Sequence, residues 1–369
     1  MSKSEKLSRS DFFKSAGVIA GATMVTGGAV QAAEEVPNAV GVPLRKLGQS
    51  DLNIPIISLG TGPGQEVNVM KFAISQGMNF LHTSTGYKKG MAINNVAEAI
   101  KGQREKVIIG LKITWEPDDD KKMDEALATL GVESVDIAFF NLHKAEEVKD
   151  PKYKAGAERW KKMGKFRYIG LTSHSEVAKC LTAALDEGFY DALMPAYSIN
   201  DEQAFLPIFE RAQKDGVGVI LMKSGRGVNG SYEDAVPHYL ATAGVTTINK
   251  GANSFAEIKK LVDAAKAKPD AQAGLRIRSS AKVSMIGHCL MCGVCTDNCP
   301  KGLVVSDVVR CSDYYLENSE YMQMAFDTYR DLRRAPSLAV CGDCNICERA
   351  CPNGVPVAHH IRRAESALT

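Results

Sequence analysis

Short apolar runs alternate with longer amphipathic segments across residues 43–268. This alternation is typical of strands that exchange with helices around a parallel sheet. Eight apolar runs are predicted to be strands: Ile54–Leu59, Asn79–His82, Lys106–Ile113, Val135–Leu142, Arg167–Thr172, Ala192–Ala196, Val217–Met222 and Val245–Asn249. The amphipathic windows between them predict helices over Glu66–Gln76, Asp118–Leu130, Ala155–Met163, Ser175–Glu187, Asp201–Lys214 and Ser254–Lys266.

The count of these units favours one architecture. Eight strand–helix units in about 225 residues match a (β/α)8 TIM barrel in number and size. A doubly wound open sheet is the alternative α/β fold, and it is less favoured because no G-x-G-x-x-G motif follows the first strand. We therefore expect a barrel over residues 43–268.

The chain beyond the barrel follows a different pattern. Residues 269–282 combine Pro269, Gly274, two serines and several basic residues, which is typical of a linker. Residues 302–340 then place apolar side chains at helical spacing. These side chains are Val304, Val305, Val308, Val309, Tyr315, Leu316, Met322, Ala325, Tyr329 and Leu332. We therefore expect residues 283–369 to form a small, mainly α-helical ferredoxin-type domain.

Eight of the ten cysteines lie in two copies of the spacing C-x2-C-x2-C-x3-C-P. The two runs are Cys289, Cys292, Cys295 and Cys299, and Cys341, Cys344, Cys347 and Cys351. This spacing predicts two 4Fe-4S clusters, each bound by the first three cysteines of one run and the fourth cysteine of the other. Disulfides are the alternative, but they give no reason for a duplicated spacing. Cys180 and Cys311 remain as buried or free thiols.

The first 32 residues are predicted to be a signal peptide. Basic residues precede a Gly- and Ala-rich run over residues 16–30. Val30-Gln31-Ala32 fits a signal-peptide cleavage site, which is marked by small residues. The run is too short to span a bilayer. Residues 8–14, SRSDFFK, resemble the twin-arginine export signal with Ser10 in place of its second arginine. We expect export to the periplasm by that route. We expect no transmembrane helix in the mature chain. The alternative is that residues 1–32 are an uncleaved amphipathic tail.

The charge pattern excludes one class of partner. The net charge is +2, and no basic stripe is interleaved with aromatic residues. A nucleic-acid function is therefore not expected. The expected partners are a small-molecule substrate and a redox partner protein.

Four side chains lie where catalytic residues of TIM barrels lie, at the carboxyl ends of predicted strands. His82 ends the second strand with Tyr87 five residues later, Lys112 lies on the third, and His143 follows the fourth. A lysine beside a tyrosine lowers the pKa of the phenol, which makes the tyrosine a candidate proton donor.

The barrel sequence resembles the aldo-keto reductases. The resemblance covers essentially the whole barrel, through PLRKLGQSDLNIPIISLGTG (43–62), NFLHTSTGY (79–87), KVIIGLK (106–112), VDIAFFNLH (135–143), RYIGLTSHS (167–175), GVGVILMKSGRG (216–227) and TTINKGANS (246–254). The resemblance implies hydride transfer from NAD(P)H to a carbonyl. In this family a tyrosine is the acid, and a lysine, an aspartate and a histidine adjust its acidity.

Two of those four positions are altered here. Tyr87 and Lys112 match, but His82 stands at the aspartate position and Asn141 at the histidine position. His143 lies two residues beyond Asn141 and shares its strand face. Without the carboxylate Lys112 loses its counter-ion, which lowers the pKa expected for its ammonium group.

The resemblance also implies a cofactor site. Thr172 and Ser173 stand where the family binds the nicotinamide amide, and Tyr197 stands where its tyrosine stacks on the ring. Lys250, Asn253 and Ser254 stand where phosphate contacts are expected, although the arginine common in that region is missing.

Three functions fit these observations. The first is an exported oxidoreductase in which the barrel binds a small carbonyl or quinone-like substrate and the clusters carry electrons. The second is an electron-transfer or interaction subunit with a catalytically degenerate barrel. The third is a cytoplasmic reductase with structural clusters, which requires that the leader be misread. Fold alone does not decide among them.

Overall fold

A computed structural model describes most of the chain from residue 35 onward. The described residues are 35–37, 41–62, 65–197, 199–226, 228, 230–268, 274–279, 287–317, 319–332, 338–342 and 344–368. All of them belong to one compact unit, Ala32–Thr369. The predicted signal peptide, residues 1–32, lies outside the described residues.

The barrel is closed by eight parallel strands. A three-stranded antiparallel sheet precedes it: β1 (Glu35–Pro37), β2 (Pro43–Lys46) and β3 (Asn53–Pro55). The barrel strands are β4 (Ile57–Gly60), β5 (Phe80–Ser84), β6 (Ile108–Ile113), β7 (Val135–Asn141), β8 (Phe166–Ser173), β9 (Ala192–Pro195), β10 (Gly218–Met222) and β11 (Val245–Lys250). They follow one another in chain order around the barrel, and β11 closes it by pairing Ile248 with Ile57 of β4.

Helices surround the strands. They are α1 (Val67–Ser75), α2 (Met91–Ile100), α3 (Asp120–Leu130), α4 (Ala145–Val148), α5 (Pro151–Lys162), α6 (Val177–Glu187), α7 (Glu202–Asp215), α8 (Val236–Ala241) and α9 (Phe255–Lys266). Short 3-10 helices cover Tyr87–Gly90, Arg104–Lys106, Ile199–Asp201, Tyr232–Asp234 and Leu338–Val340. The expected barrel is confirmed, with all eight predicted strands and all six predicted helices in place.

One predicted strand needs a correction. Ile54–Leu59 is divided between β3, in the antiparallel sheet, and β4, in the barrel. The division falls at Ile56, whose backbone N–H donates to Pro43 O at 3.0 Å. Pro55 has no N–H of its own to donate to a continuous ladder.

Two glycines shape the barrel interior around one aromatic ring. A Cβ atom at Gly170 would lie 2.4 Å from the ring of Phe139, and one at Gly110 would lie 2.9 Å from Phe80 and 3.1 Å from Phe139. The edge of His82 packs on Phe139 with 5.4 Å between ring centroids. The interior is therefore a packed core, as expected for a TIM barrel.

The described part of the chain after α9 is mainly helical. Residues 274–279 form α10, and α11 (Val294–Asp297), α12 (Val305–Glu317), α13 (Ser319–Asp331), α14 (Ile346–Ala350) and α15 (Val357–Leu368) follow. These later helices bury an apolar core of their own. The expectation of helices between the cysteine runs is confirmed. No helix in the described ranges is long and apolar enough to cross a membrane.

The predicted linker, residues 269–282, is partly outside the described residues. Its described part, α10, packs on the barrel, because Ile277 is buried and Arg278 Nε lies 2.5 Å from Oε2 of Glu202 in α7. These contacts hold α10 against the barrel.

Candidate active site at the barrel mouth

The described part of residues 287–368, which we call the helical segment, covers the carboxyl ends of the barrel strands. We call this end of the barrel the barrel mouth. Its contacts reach the segments that follow β7, β8 and β10. After β7, His143 Nδ1 lies 3.2 Å from Asp307 Oδ1; after β8, Ser175 Oγ lies 2.6 Å from Ser306 Oγ and Lys179 Nζ lies 2.6 Å from Asp297 Oδ2. After β10, Lys223 Nζ lies 3.9 Å from Met324 Sδ, and Arg226 donates to the carbonyl of Cys289. Helix α13 also packs against Tyr87–Gly90. The cysteine-bearing segment therefore lies on the face where TIM barrels carry their active sites.

Tyr87 and Lys112 meet at this mouth, as the sequence predicts. Lys112 lies on β6, and its Nζ lies 4.6 Å from the centroid of the Tyr87 ring. Only 7% of Lys112 is exposed, and among the described residues no carboxylate forms an ion pair with it. The cation rests on an aromatic face instead, which stabilises a charged ammonium by about 0.5–2 kcal/mol.

His82 lies in the barrel interior below that pair. It is opposite Gly60 of β4 and Gly110 of β6, one layer below Lys112, which is opposite Ser84. Its Nε2 is buried without a hydrogen-bond partner. Burial, and secondarily the charge of Lys112, lower the pKa of His82 to about 3. At neutral pH this ring is uncharged and gives Lys112 no counter-ion.

His143 is held by the helical segment. Its Nε2 lies 3.0 Å from Asn141 Nδ2, while Asn141 Oδ1 accepts from Thr172 Oγ1 at 3.0 Å. This network assigns the proton of a neutral His143 to Nδ1, facing Asp307. Both ring nitrogens therefore face Asn141 and Asp307 rather than Tyr87.

Three residues of this network are not found by sequence reasoning: His174, Asp307 and Arg310. Arg310 Nη2 donates to Asp307 Oδ1 at 2.7 Å. Burial alone would raise the pKa of Asp307, but His143 and Arg310 lower it to about 2. The ring of His174 lies 6.4 Å from that of His143, and burial, followed by the charge of Arg310, lowers the pKa of His174 well below 6.5. No local pattern joins these positions, since α12 is distant in sequence.

The residues expected at the nicotinamide ring have protein partners. Thr172 donates to Asn141, and Ser173 Oγ donates to Ser175 O at 3.0 Å. Tyr197 is fully buried, with its ring edge-to-face on Tyr239 at 5.5 Å. No face of the Tyr197 ring is exposed for stacking on a cofactor.

The residues expected at the cofactor phosphates lie around the start of α9. Ser254 caps this helix by accepting from Glu257 N at 3.2 Å, and Glu257 Oε2 accepts from Asn253 N at 2.7 Å. A carboxylate thus occupies the helix N-terminus, where a phosphate would otherwise be favoured. Lys250 lies with its Nζ 4.9 Å from the Tyr232 ring centroid, and burial, then Lys223, lower its pKa.

The cysteines fall into two groups that exchange their fourth members. All ten are free thiols. Cys289, Cys292, Cys295 and Cys351 line one small cavity. Burial, followed by neighbouring Cys344 and Cys299, raises the pKa of the Cys341 thiol, and Cys299 also acts on Cys347. Within the described residues, no three His, Cys, Asp or Glu side chains are arranged to hold a metal ion. In a 4Fe-4S cluster each thiolate binds a different iron, so the four sulfur atoms lie further apart than the ligands of a single metal ion.

Comparison with known proteins shows which family the barrel sequence resembles. Residues 59–235, which run from the last two residues of β4 through β10, match the aldo/keto reductase family. This match supports an aldo/keto reductase family domain over these residues. A curated relative, the uncharacterized oxidoreductase YqkF of Bacillus subtilis, is 28% identical over 148 residues, which are 35% of this chain and 48% of that protein. The chain therefore matches about half the length of this relative.

Solved structures agree on the fold. The aldo-keto reductase AKR11C1 from Bacillus halodurans superposes with a TM-score of 0.56 at 20% identity, over 66% of this chain and 96% of that one. An aldo/keto reductase from Klebsiella pneumoniae in complex with NADPH gives a TM-score of 0.52 at 18% identity, over 63% and 94%. The family match and the oxidoreductase relative support an oxidoreductase; the structural likeness supports the barrel.

Proposed function

We propose that this protein is an exported iron–sulfur oxidoreductase. In this proposal the barrel mouth binds a small carbonyl or quinone-like substrate, and electrons reach it through two 4Fe-4S clusters. The observation that carries the proposal is the position of the cysteine-bearing segment over Tyr87 and Lys112. If the segment that covers the barrel mouth carries the clusters, electrons have only a short distance to travel from a cluster to a substrate at the mouth.

The cysteines fit this cofactor by chemistry and by grouping. Cys289, Cys292, Cys295 and Cys351 would hold one cluster, and Cys341, Cys344, Cys347 and Cys299 the other. When bound, the clusters would supply one-electron transfer. Two one-electron steps and two protons convert a carbonyl to an alcohol or a quinone to a quinol.

Tyr87 would supply one proton to the substrate oxygen. Lys112 lies over its ring and favours the phenolate that remains after transfer. Neutral His82 adds no positive charge below this pair. The buried position of Lys112 strengthens its electrostatic effect on the phenol, because little water screens it.

Free NAD(P)H is not part of the proposal. The carboxylate at the start of α9 would repel a phosphate, and Tyr197 offers no exposed ring. Met324 also occupies the barrel mouth: a Cβ at Gly62 would lie 3.5 Å from its methyl group and 3.7 Å from the Tyr87 ring.

Export is the remaining element of the proposal. It rests on the leader in residues 1–32 and on the logic of folded export, since clusters are inserted before translocation. Sequencing the mature N-terminus from a periplasmic fraction tests it. We expect cleavage after Ala32; a cytoplasmic protein that retains Met1 would instead revive a cytoplasmic reductase.

The catalytic part is tested by cluster reoxidation. Protein with reconstituted, reduced clusters is mixed without oxygen with a panel of small aldehydes and ketones, and cluster absorbance is followed. We expect substrate-dependent reoxidation that Tyr87→Phe slows by about 100-fold or more, the usual contribution of a general acid. Tyr168→Phe, whose hydroxyl contacts Asp51 away from the mouth, is the matched control. An unchanged rate in Tyr87→Phe would show that the proton donor is misassigned.

A second function is favoured by the altered charges of the site. Lys112 has no carboxylate partner among the described residues, and Asn141 and His143 are engaged with each other. A barrel of this kind could serve as a scaffold in an electron-transfer subunit. In that case no substrate reoxidises the clusters, and pull-down recovers a redox partner protein. Tight binding of NADPH in calorimetry would exclude this second function.

A further inference from the structure

One side chain of the helical segment reaches the candidate active site. Met324 lies on α13, which packs against Tyr87–Gly90. Its Sδ lies 3.9 Å from Nζ of Lys223, which follows β10 at the barrel mouth. Ala325 and Tyr329 of the same helix pack in the apolar core of the helical segment instead. Met324 therefore projects from a different face of α13, towards the barrel.

The methyl group of Met324 meets the hydroxyl end of Tyr87 over Gly62. Gly62 follows β4 at the barrel mouth and has no side chain of its own. A Cβ atom there would lie 3.5 Å from the methyl carbon of Met324 and 3.7 Å from both Cε2 and Cζ of Tyr87. Cζ is the ring atom that carries the phenol hydroxyl. Gly62 and Met324 therefore bound the space beside the group proposed to donate a proton.

The substrate has to enter this space. Proton transfer requires the substrate oxygen within about 2.6–3.2 Å of the Tyr87 hydroxyl, so the groups on its carbonyl carbon lie close to Gly62 and Met324. Distances of 3.5 and 3.7 Å are ordinary contacts between carbon atoms. One methyl carbon on Gly62 would thus fill the gap between Met324 and the phenol, and a branched substituent is larger than this gap.

We propose that Met324 determines substrate specificity by limiting the size of the groups on the carbonyl carbon. The preferred substrates are aldehydes and methyl ketones, and ketones branched on both sides of the carbonyl are excluded. The inference rests on the proposed function, because it takes Tyr87 as the group that holds the carbonyl oxygen. Methionine suits the role, since its unbranched thioether adapts to irregular space. The helical segment thereby supplies a wall of the substrate site.

The test compares acetone with diisopropyl ketone, which is branched on both sides of its carbonyl group. Binding of each ketone to the full chain with oxidised clusters is measured by saturation-transfer NMR titration, which requires no turnover. We expect the wild-type protein to prefer acetone by about tenfold or more, although diisopropyl ketone is the more apolar ligand. Met324→Ala opens the space and should shift this preference towards diisopropyl ketone by about tenfold. Gly62→Ala narrows the space and should shift it the other way.

Two further variants locate the effect. Met324→Leu restores most of the side-chain volume and should restore the preference for acetone. Met163→Ala truncates an exposed methionine between α5 and β8, at the opposite end of the barrel, and should leave both affinities unchanged.

The outcomes separate this inference from the proposed redox function. The same preference in Met324→Ala as in the wild-type protein, tighter wild-type binding of diisopropyl ketone, or no binding of acetone would overturn the size limit, whether or not a carbonyl compound reoxidises the clusters. The expected shifts in preference without any cluster reoxidation would support the size limit and contradict the redox function.

Discussion

At the scale of single residues, the site is set by how its charges are balanced. Lys112 keeps an aromatic neighbour in place of a carboxylate, and His82 is neutral and buried below it. The sequence predicted that Tyr87 and Lys112 meet, since strand ends of a barrel converge. It could not predict that His143 faces Asp307, because Asp307 comes from a helix about 160 residues further along the chain.

His82 makes the stability of the fold depend on pH. Its pKa is about 3 in the folded chain against 6.5 when exposed, so between these values the unfolded chain binds more protons. Stability therefore falls with decreasing pH, by about 1.4 kcal/mol per unit from this one group. We expect His82→Gln to remove that contribution between pH 6 and 4.5. Urea unfolding of both proteins across this range measures it, and parallel pH profiles would contradict the assignment.

Removing the charge of Asp307 is expected to destabilise the fold, because its carboxylate is buried. Asp307→Asn breaks the buried ion pair with Arg310, and breaking such a pair typically costs about 3–5 kcal/mol. Asp297→Asn breaks the more exposed pair with Lys179 and should cost about 1 kcal/mol or less. Equal unfolding midpoints for the two variants would show that the buried pair is not stabilising.

At the scale of elements, local periodicity predicts most of the barrel. All eight strands are apolar runs that the pattern identifies, and only the first extends across two sheets. The pattern misses α2, α4 and α8. Helices α4 and α8 have only four and six residues, which is too short to display a helical repeat.

Strand β8 depends on a glycine inside the barrel. Gly170→Ala would place its Cβ 2.4 Å from the Phe139 ring and 3.1 Å from a backbone oxygen. We expect a loss of about 1–3 kcal/mol or more from overpacking, measured by urea unfolding. Gly342→Ala meets no atom within 4 Å and serves as the control. A Gly170→Ala protein as stable as Gly342→Ala would mean that Phe139 moves away without cost.

At the scale of the whole molecule, the central feature is the docking of the helical segment on the barrel mouth. Neither hydrophobic periodicity nor cysteine spacing contains this information, because both are local. The motif does predict that the fourth cysteine of each run joins the other run. The structure groups the cysteine side chains in this way. Whether clusters bind there is a prediction.

The exchanged grouping gives a prediction for iron content. Wild-type protein with both clusters should contain about eight irons per chain. Cys351→Ser removes one member of the group around Cys289 and should leave about four, with the second cluster retained. Cys180→Ser, at a buried thiol outside both groups, should retain about eight. Eight irons in Cys351→Ser would contradict the grouping.

The most direct test of the account is an anaerobic titration of the cluster-loaded protein with two reductants. If electrons enter through the clusters and no nicotinamide binds at the barrel mouth, a one-electron donor such as dithionite bleaches the cluster absorbance. NADPH at the same concentration then leaves the absorbance unchanged. Bleaching by stoichiometric NADPH would contradict the account, because it would place a working nicotinamide site in this barrel.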